Sequence, residues 1–304
     1  MFDTEHIRRA ITMEATRTKK GHFVPQVHLR YFTSTPDETD QKHMRLWCFN
    51  KEQRKSNQAR ICEVAHQRDM YTYRRDGSDV VSFEGVFAQW ETEYSQILRE
   101  LHATPSLVVL LERKEQMAAF IALQYLRVAL WQDVLRQYWG LLDLDDAPVT
   151  KEDTKIALMS LIQRNLDDLT AVFRRKNWIL LHNDPDKTGK RFYTSDTPIT
   201  LTNPGRGPRT PDLYVTSKGV EIHFPLSPRL TILMYNHDEY KRAQFEHEAN
   251  PDDVDAINVQ QVWWSQQFVF SEANDFALAD RMVGERPELG NPRRRRISLR
   301  QQRA

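Results

Sequence analysis

The chain has 304 residues, of which 40% are hydrophobic and 28% are charged, a balance typical of folded rather than disordered proteins. Its 43 basic and 42 acidic side chains leave a net charge of +1, which excludes a global positive field as the basis of nucleic-acid binding. Cys48 and Cys62 could pair, but they form no CxxC pattern and have no nearby histidine. We therefore expect two free thiols in a reducing compartment and no metal site.

The location of the protein is predicted from two missing signals. No segment approaches the roughly 20 apolar residues of a membrane span. The opening residues, MFDTEHIRRA, lack the apolar core of a signal peptide. We expect a cytoplasmic protein with no membrane partner. The sequence indicates neither a cofactor nor an oligomeric state.

The first half of the chain predicts a polar arm, one strand pair and three helices. Residues 1–20 are polar and basic, and from Gly21 apolar and polar residues interleave. Segment 45–49 predicts a strand, with 69–73 as its partner. Apolar residues recur at three- and four-residue steps over 83–101, which predicts a first helix. Two further helices are expected at about 112–142 and 151–175, separated by a turn at 145–148.

Beyond Asn177 the sequence changes to short β-rich segments separated by Gly, Pro or Asp clusters. The predicted strands are 178–181, 191–194, 199–202, 220–224 and 230–235, followed by helices at about 251–270 and 273–283. The predicted fold is α+β, with central long helices packed with a mostly antiparallel sheet from the second half, and closing C-terminal helices. Residues 21–283 are predicted to form a single domain, and residues 284–304 a disordered basic tail.

Motifs for nucleotide binding and catalysis are missing from the sequence. Gly189-Lys190 lacks the rest of a phosphate loop, and GxGxxG, GxSxG and HExxH patterns do not occur. Function must therefore be argued from isolated polar residues.

The first such residues surround Pro25, which can open a helical turn. Gln26 and Arg30 are four residues apart and would project to one side of that turn. His22 lies just before it, near free backbone N–H groups that also favour an anion. Together these groups can hold a phosphate or carboxylate and move a proton. In the structural alternative, Arg30 pairs with a carboxylate and His22 caps the turn.

Gln124 and Arg127 lie in an otherwise apolar stretch of the second helix. A buried guanidinium must be paired or must face a ligand, because its burial alone costs several kcal/mol. Glu91 and Glu93 are candidate partners, and structural pairing is the favoured interpretation.

Asp196 lies between two predicted strands, where a carboxylate is both positioned and accessible. The alternative for Asp196 is a plain turn. The basic run Arg293–Arg296 can contact nucleic acid or an acidic partner, or form a solvated end.

These residues carry a resemblance to the bacterial family catalogued as domain of unknown function 4238. The similar segments follow the family's order from Gly21 to Ser271: His22–Phe32, Trp47–Phe49, Asp69–Tyr71, Glu91, Phe120–Arg127, Phe192–Pro198, Phe224–Pro228, Asn258 and Phe268–Ser271. Val128-Ala129 replaces a common Thr-Pro, and Thr197 replaces a common Asn. The resemblance implies one continuous domain and supplies no activity.

A motif set rich in His, Gln, Arg, Asp and Asn suggests a shared polar pocket. The leading hypothesis is an enzyme acting on a phosphate-bearing substrate, a nucleic acid or nucleotide, with hydrolase chemistry of the nuclease or phosphoesterase type. The predicted catalytic residues are His22, as general acid or base, and Asp196, which orients or activates. The predicted substrate-binding residues are Gln26, Arg30, Gln124, Arg127 and Asn258.

The alternative hypothesis is a non-catalytic interaction or regulatory protein, for example part of a phage-defence or toxin-type module. Arg30, Gln124 and Arg127 would then hold helices together. The direction of these three side chains, into an open cleft or into sealed pairs, distinguishes the two hypotheses.

Overall fold

The structure, a computed structural model, describes residues 20–35, 37–40, 42–75, 79–142, 150–205, 213–236 and 245–291. In these ranges the protein has the expected α+β fold, with long helices in the centre and mostly antiparallel sheets. The predicted arm before residue 20, the turn at 145–148 and the arginine run Arg293–Arg296 lie outside the described residues. The prediction of a single domain stays a prediction.

The helices of the described chain are numbered in chain order. They are α1 Gln26–Leu29, α2 Glu84–Ala103, α3 Leu107–Glu112, α4 Lys114–Leu126, α5 Ala129–Leu142, α6 Lys151–Arg175, α7 Pro185–Thr188, α8 Pro251–Trp264 and α9 Ala277–Glu285. The strands are β1 Gly21–His22, β2 Arg45–Asn50, β3 Lys55–Arg60, β4 His66–Gln67, β5 Thr72–Arg75, β6 Asp79–Ser82, β7 Asn177–His182, β8 Thr194–Ser195, β9 Thr200–Thr202, β10 Glu221–Ser227, β11 Leu230–Tyr235, β12 Phe245–Glu248 and β13 Phe268–Ser271.

Helices α2, α4 and α6 form the helical layer of the main core. Helix α2 buries one face, as its period predicts, whereas α4 is buried along nearly its whole length and packs against both α2 and α6. Helix α6 starts with a capping box in which Thr150 and Asp153 satisfy each other's backbone N–H groups. Paired caps of this kind fix where the helix begins.

The predicted long helix over 112–142 is wrong, because the structure interrupts it twice. Arg113 separates α3 from α4, and Arg127 with Val128 separates α4 from α5. At the second break the Tyr71 hydroxyl donates to the Arg127 carbonyl at 2.8 Å, so that carbonyl is satisfied outside the helical ladder. The break turns the Arg127 side chain toward β1 and α2.

The larger sheet has the strand order β12-β7-β11-β10-β9, and only the β12–β7 pair is parallel. Strand β7 is buried on both faces, since Trp178 and Leu180 join the main core while Ile179 and Leu181 join a second apolar cluster. Strands β7 and β12 end on the side where the β10–β11 turn lies, and His182 pairs in register with both Leu230 and Glu248. Polar residues that follow these strands therefore meet at one edge.

A smaller sheet, ordered β3-β2-β13-β8, corrects two predictions. Segment 69–73 does not pair with β2; β5 forms a hairpin with β6 instead. The predicted helix over 251–270 ends at Trp264, and Phe268–Ser271 forms β13 between β2 and β8. Val269 and Phe270 are fully buried there, which explains why an apolar run extends past the helix end.

The chain after α8 closes the fold further than expected. Residues 284–291, assigned to the basic tail, include the end of α9 and a turn at Pro287–Gly290 with Leu289 fully buried. Within the described ranges, none of the helices is both long and apolar enough to cross a membrane.

Candidate functional site

An open cleft of about 820 Å³ lies at the sheet edge where β7 and β12 end. Its lining comes from the residues at and after the end of α1, the last turns of α2, the β7–α7 junction and the β10–β11 turn. The charged and titratable side chains that line it are Arg30, Glu38, Arg99, His102, His182, Asp184, Lys187, Arg229, Glu248 and Glu272. Its volume falls within the usual range for ligand sites, about 300–1,000 Å³.

Two arginines give one side of this cleft its charge. Arg30 and Arg99 both lie close enough to Tyr31 to oppose the rise in its pKa that burial causes. Neither guanidinium forms an ion pair with a carboxylate of the described chain, and Arg99 donates only to the Ser95 carbonyl of its own helix at 3.3 Å. The lining also carries four carboxylates, Glu38, Asp184, Glu248 and Glu272. Because Arg30 and Arg99 form no ion pair in the described chain, their guanidinium groups can still bind a ligand anion.

The other cations of the cleft are paired. Lys187 Nζ lies 3.2 Å from Asp184, and Arg229 Nη1 lies 3.5 Å from Glu272. The pair of Lys187 and Asp184 is solvent-exposed and contributes at most about 1 kcal/mol to stability, whereas Glu272 is 22% exposed and also pairs with Arg191 at 2.7 Å. Arg30 and Arg99 are therefore the arginines of the lining that are left for a ligand anion.

His102 forms part of the cleft wall beneath Tyr31. The two rings stack with centroids 3.9 Å apart, and the backbone of Leu226 accepts a hydrogen bond from the imidazole. Burial lowers the His102 pKa to about 4, so the ring is neutral at physiological pH. The Nε2 atom of His102 is buried and has no hydrogen-bond partner in the described structure. In this conformation the His102 ring therefore only lines the cleft.

His182, which lines the cleft, forms a pair with Glu246. His182 Nε2 lies 3.1 Å from Glu246 Oε2, and the other carboxylate oxygen accepts from the Leu107 N–H at 2.5 Å and the Ser106 hydroxyl at 3.1 Å. Partial burial opposes ionisation of Glu246, but these hydrogen bonds and the neighbouring imidazole hold its pKa below the usual value. Glu246 is therefore an ionised acceptor with a fixed orientation.

His22, Gln124 and Arg127 meet in a different place, which we call the Arg127 cluster; it also includes His66, Glu84 and Glu91. Arg127 is 1% exposed and donates through Nη2 to Glu91 at 2.8 Å and to the His22 carbonyl. Gln124 Nε2 donates to the Phe23 carbonyl at 2.8 Å. The guanidinium lies over the rings of Tyr71 and Phe87, 5.6 and 5.1 Å from their centroids. Sealed pairing with Glu91 thus holds for Arg127.

The Arg127 cluster also holds an unusual concentration of buried polar atoms without hydrogen-bond partners in the described structure. These atoms are His22 Nε2, His66 Nδ1, Glu84 Oε1, Gln124 Oε1, and Arg127 Nε and Nη1. Each such atom costs about 1–3 kcal/mol. Burial raises the Glu84 pKa to about 7, whereas burial, His66 and Arg127 lower the His22 pKa to about 4. Arg127 itself is buried, whereas the Glu91 side chain that pairs with it is 26% exposed.

Asp196 uses its carboxylate to hold a turn. Oδ1 accepts from the Gln266 N–H at 2.8 Å, and Oδ2 accepts from the Gln267 and Phe268 N–H groups at 2.7 and 2.8 Å. These bonds tie the end of β8 to the start of β13. The contacts of Asp196 and those of His22 share no residue in the described chain, so the structure does not bring the two predicted catalytic groups together.

Neither Asn258 nor Gln26 lines the open cleft or belongs to the Arg127 cluster. Asn258 Oδ1 accepts from the Tyr193 N–H at 2.7 Å, and Nδ2 donates to the Arg191 carbonyl at 2.8 Å. It therefore joins α8 to the segment before β8. Gln26 is half-buried at the start of α1.

Three of the predicted residues, His22, Gln124 and Arg127, thus lie together in the structure. Arg30 is the predicted residue that lines the open cleft. Asp196 and Asn258 each bind backbone groups. Their chemical roles stay predictions. Arg99 and His102 were missed, although a signal exists: each directly follows a buried leucine of α2, Leu98 or Leu101, at the border of its apolar face. His182 and Arg229 carry no local signal, because the cleft forms only when β7 and the β10–β11 turn meet.

Within the described ranges, no group of three or more His, Cys, Asp or Glu side chains is arranged to hold a metal ion. Cys48 and Cys62 are free thiols, and Cys48 is buried.

The fold and the cleft define an α+β protein with an open polar site that combines unpaired cations with an imidazole–carboxylate pair. The chain belongs to the family described as protein of unknown function (DUF4238), whose model matches residues 20–275. No curated protein and no solved structure matches the chain.

Proposed function

We propose that the protein is a hydrolase-type enzyme acting on a phosphate-bearing substrate, a nucleotide or nucleic acid, bound in the cleft of Arg30 and Arg99. The observation that supports the proposal is the presence of two guanidiniums on one concave wall, neither paired with a carboxylate of the described chain. Guanidinium groups match phosphate oxygens in geometry and charge. Lys187 and Arg229 also line the cleft, but each is already paired with a carboxylate.

This proposal keeps the anion-binding role predicted for Arg30 and transfers the role predicted for Arg127 to Arg99. Arg127 is already paired with Glu91 and is buried, whereas Arg99 is exposed on the last turns of α2. Because the cleft is open and wide, it accommodates either a mononucleotide or a short stretch of a single strand.

Substitution of the two arginines tests the proposal. We expect Arg30→Ala and Arg99→Ala each to weaken binding of ATP or of a fluorescein-labelled single-stranded oligonucleotide by about 10- to 100-fold, since a charge-assisted hydrogen bond contributes about 1.5–3 kcal/mol. Fluorescence anisotropy and calorimetry measure the affinities. Arg113→Ala is the matched control, because that arginine pairs with Glu100 away from the cleft. Equal affinities in all variants would contradict the proposal.

A second candidate function is a non-catalytic interaction or regulatory protein, with a phage-defence or toxin-type module as one setting. The sealed pairing of Arg127 and the backbone contact of Gln124 favour it, since these groups then only join helices. It predicts that the wild type binds neither probe in the cleft.

A further inference from the structure

The hydrogen bond between His182 and Glu246 determines which nitrogen of the imidazole carries the proton. Because the Glu246 carboxylate can only accept, the hydrogen bond of 3.1 Å requires the donor to be Nε2–H of the His182 ring, and the tautomer with a single proton carries it there. The lone pair then lies on Nδ1. In the described structure Nδ1 has no hydrogen-bond partner and is not buried, and His182 lines the cleft. His182 thus combines a place in the cleft lining with an unpartnered, accessible ring nitrogen.

The surroundings hold this pair in place. Glu246 is fixed by the Ser106 hydroxyl and the Leu107 N–H at the start of α3. The next residue after His182, Asn183, donates to the carbonyls of Lys190 and Pro228 at 2.8 and 3.0 Å, which anchors the end of β7. A carboxylate that orients an imidazole, itself oriented by other donors, is the arrangement expected of a general base.

We propose that His182 is the general base of the cleft and that Glu246 is its positioning residue; this inference rests on the proposed phosphate-bearing substrate. His182 Nδ1 takes a proton from a water molecule, and the water oxygen forms a bond to phosphorus. The P–O ester bond breaks, and its electron pair leaves with the alcohol oxygen, which takes a proton from solvent. His182 then returns its proton to solvent, so the net reaction adds one water across the ester bond.

The arginines and the imidazole have separate tasks in this scheme. Arg30 and Arg99 neutralise phosphate charge, which increases both affinity and the susceptibility of phosphorus to attack. Removing the base should lower kcat while KM changes little, whereas removing an arginine should raise KM. This separation lets a failure of the base be distinguished from a failure of the binding site.

The test compares wild type, His182→Gln and Glu246→Gln, with His247→Gln as the matched control on the same strand; the His247 ring is exposed and lies 3.7 Å from Asp253. The probes are bis(4-nitrophenyl) phosphate and a labelled single-stranded oligonucleotide. We expect kcat to fall by about 100-fold or more in the first two variants, with affinity for the oligonucleotide unchanged and the control active. Long-range proton–nitrogen NMR should show His182 protonated on Nε2 in the wild type and shifted toward Nδ1 in Glu246→Gln.

Each of the other outcomes overturns either the role of His182 as a base or the proposed function. Unchanged kcat in both variants, or a wild type that binds the oligonucleotide but hydrolyses neither probe, overturns the base while leaving the binding site intact. An Nδ1–H tautomer in the wild type overturns it irrespective of turnover. A wild type that binds neither probe overturns the proposed function itself.

Discussion

At the scale of single residues, burial shifts the pKa values of the histidines and of Glu84 in opposite directions. Burial lowers the pKa values of His22 and His102 to about 4 and that of His28 to about 3, so all three imidazoles are neutral in the folded protein. Burial raises the Glu84 pKa to about 7, with Glu91 and Asp69 adding to the rise and Arg127 opposing it. These shifts couple folding to pH.

The histidines and Glu84 affect stability with opposite signs. Below the usual pKa of 6.5 the unfolded chain binds protons that the buried histidines do not, so their contribution to the free energy of unfolding rises with pH up to that value. Between the usual pKa of 4.5 and about 7, folded Glu84 keeps a proton that the unfolded chain has released. Its contribution is therefore present at low pH and is lost as pH rises toward 7.

Glu84→Gln should remove the pH-dependent contribution of Glu84 to the free energy of unfolding. We expect the variant's free energy of unfolding to rise more steeply than that of the wild type between pH 5 and 7, by on the order of 1–2 kcal/mol after allowing for partial exposure of Glu84. Urea unfolding at a series of pH values measures this difference. The control is Glu112→Gln, at an exposed position of α3. Parallel profiles for wild type and Glu84→Gln would show that Glu84 is ionised normally.

At the scale of elements, Asp196 acts as a connection between β8 and β13 rather than as an exposed strand-end carboxylate. It is 4% exposed, and three backbone N–H groups point at its oxygens. A carboxylate with this many backbone donors is fixed in one orientation. Local sequence could not predict these partners, because they come from about 70 residues further along the chain.

Asp196→Ala should therefore reduce stability rather than only turnover. Three donors would lose their acceptor, and we expect the free energy of unfolding to fall by about 3–5 kcal/mol. Asp196→Asn keeps one acceptor oxygen and should fall in between. Asp186→Ala, at an exposed position of α7, serves as the control and should lie within about 0.5 kcal/mol of wild type. A fully stable Asp196→Ala protein that has lost hydrolysis would instead support the predicted catalytic role.

The elements that the sequence predicts well are those whose periodicity records burial. Helix α2 and strands β10 and β11 lie where the apolar pattern predicts them, because each faces the main core. Strand β3 was missed because Lys55–Arg60 is a polar edge strand with no alternating apolar residues. Strand β13 was absorbed into a predicted helix because its buried residues follow the apolar end of α8 after only a short break.

The cleft could not be predicted in the same way. Arg30, Arg99, His182 and Arg229 come from four separate segments, and only the packing of α2 against the sheet edge places them on one surface. Local spacing grouped Gln124 with Arg127, because Gln124 lies in the last turn of α4 and Arg127 directly follows that helix. The sequence also suggested that all the candidate site residues share one pocket. The structure separates them, because their contacts are set by long-range pairing of β1, β8 and α8.

At the scale of the whole molecule, the nearly neutral charge of +1 leaves local groups to determine any binding of a polyanion. The described chain offers Arg30 and Arg99 in the cleft, and the sequence adds four consecutive arginines, Arg293–Arg296, beyond the described residues. The two sources differ in the number of phosphates that they can neutralise. Salt dependence therefore distinguishes them.

For a single-stranded oligonucleotide, log K falls with log salt by about 0.7 per neutralised phosphate, so binding through Arg30 and Arg99 alone predicts a slope of about −1.4. A tail that neutralises four phosphates would give about −2.8. We expect the shallower slope in the wild type, an unchanged slope when Arg293–Arg296 are replaced by glutamine in the full chain, and a slope near zero in the Arg30→Ala/Arg99→Ala variant. Anisotropy titrations over a series of salt concentrations measure these values. Retention of the slope in the cleft variant, with its loss in the tail variant, would place nucleic-acid binding on the tail and leave the cleft to small phosphate-bearing ligands.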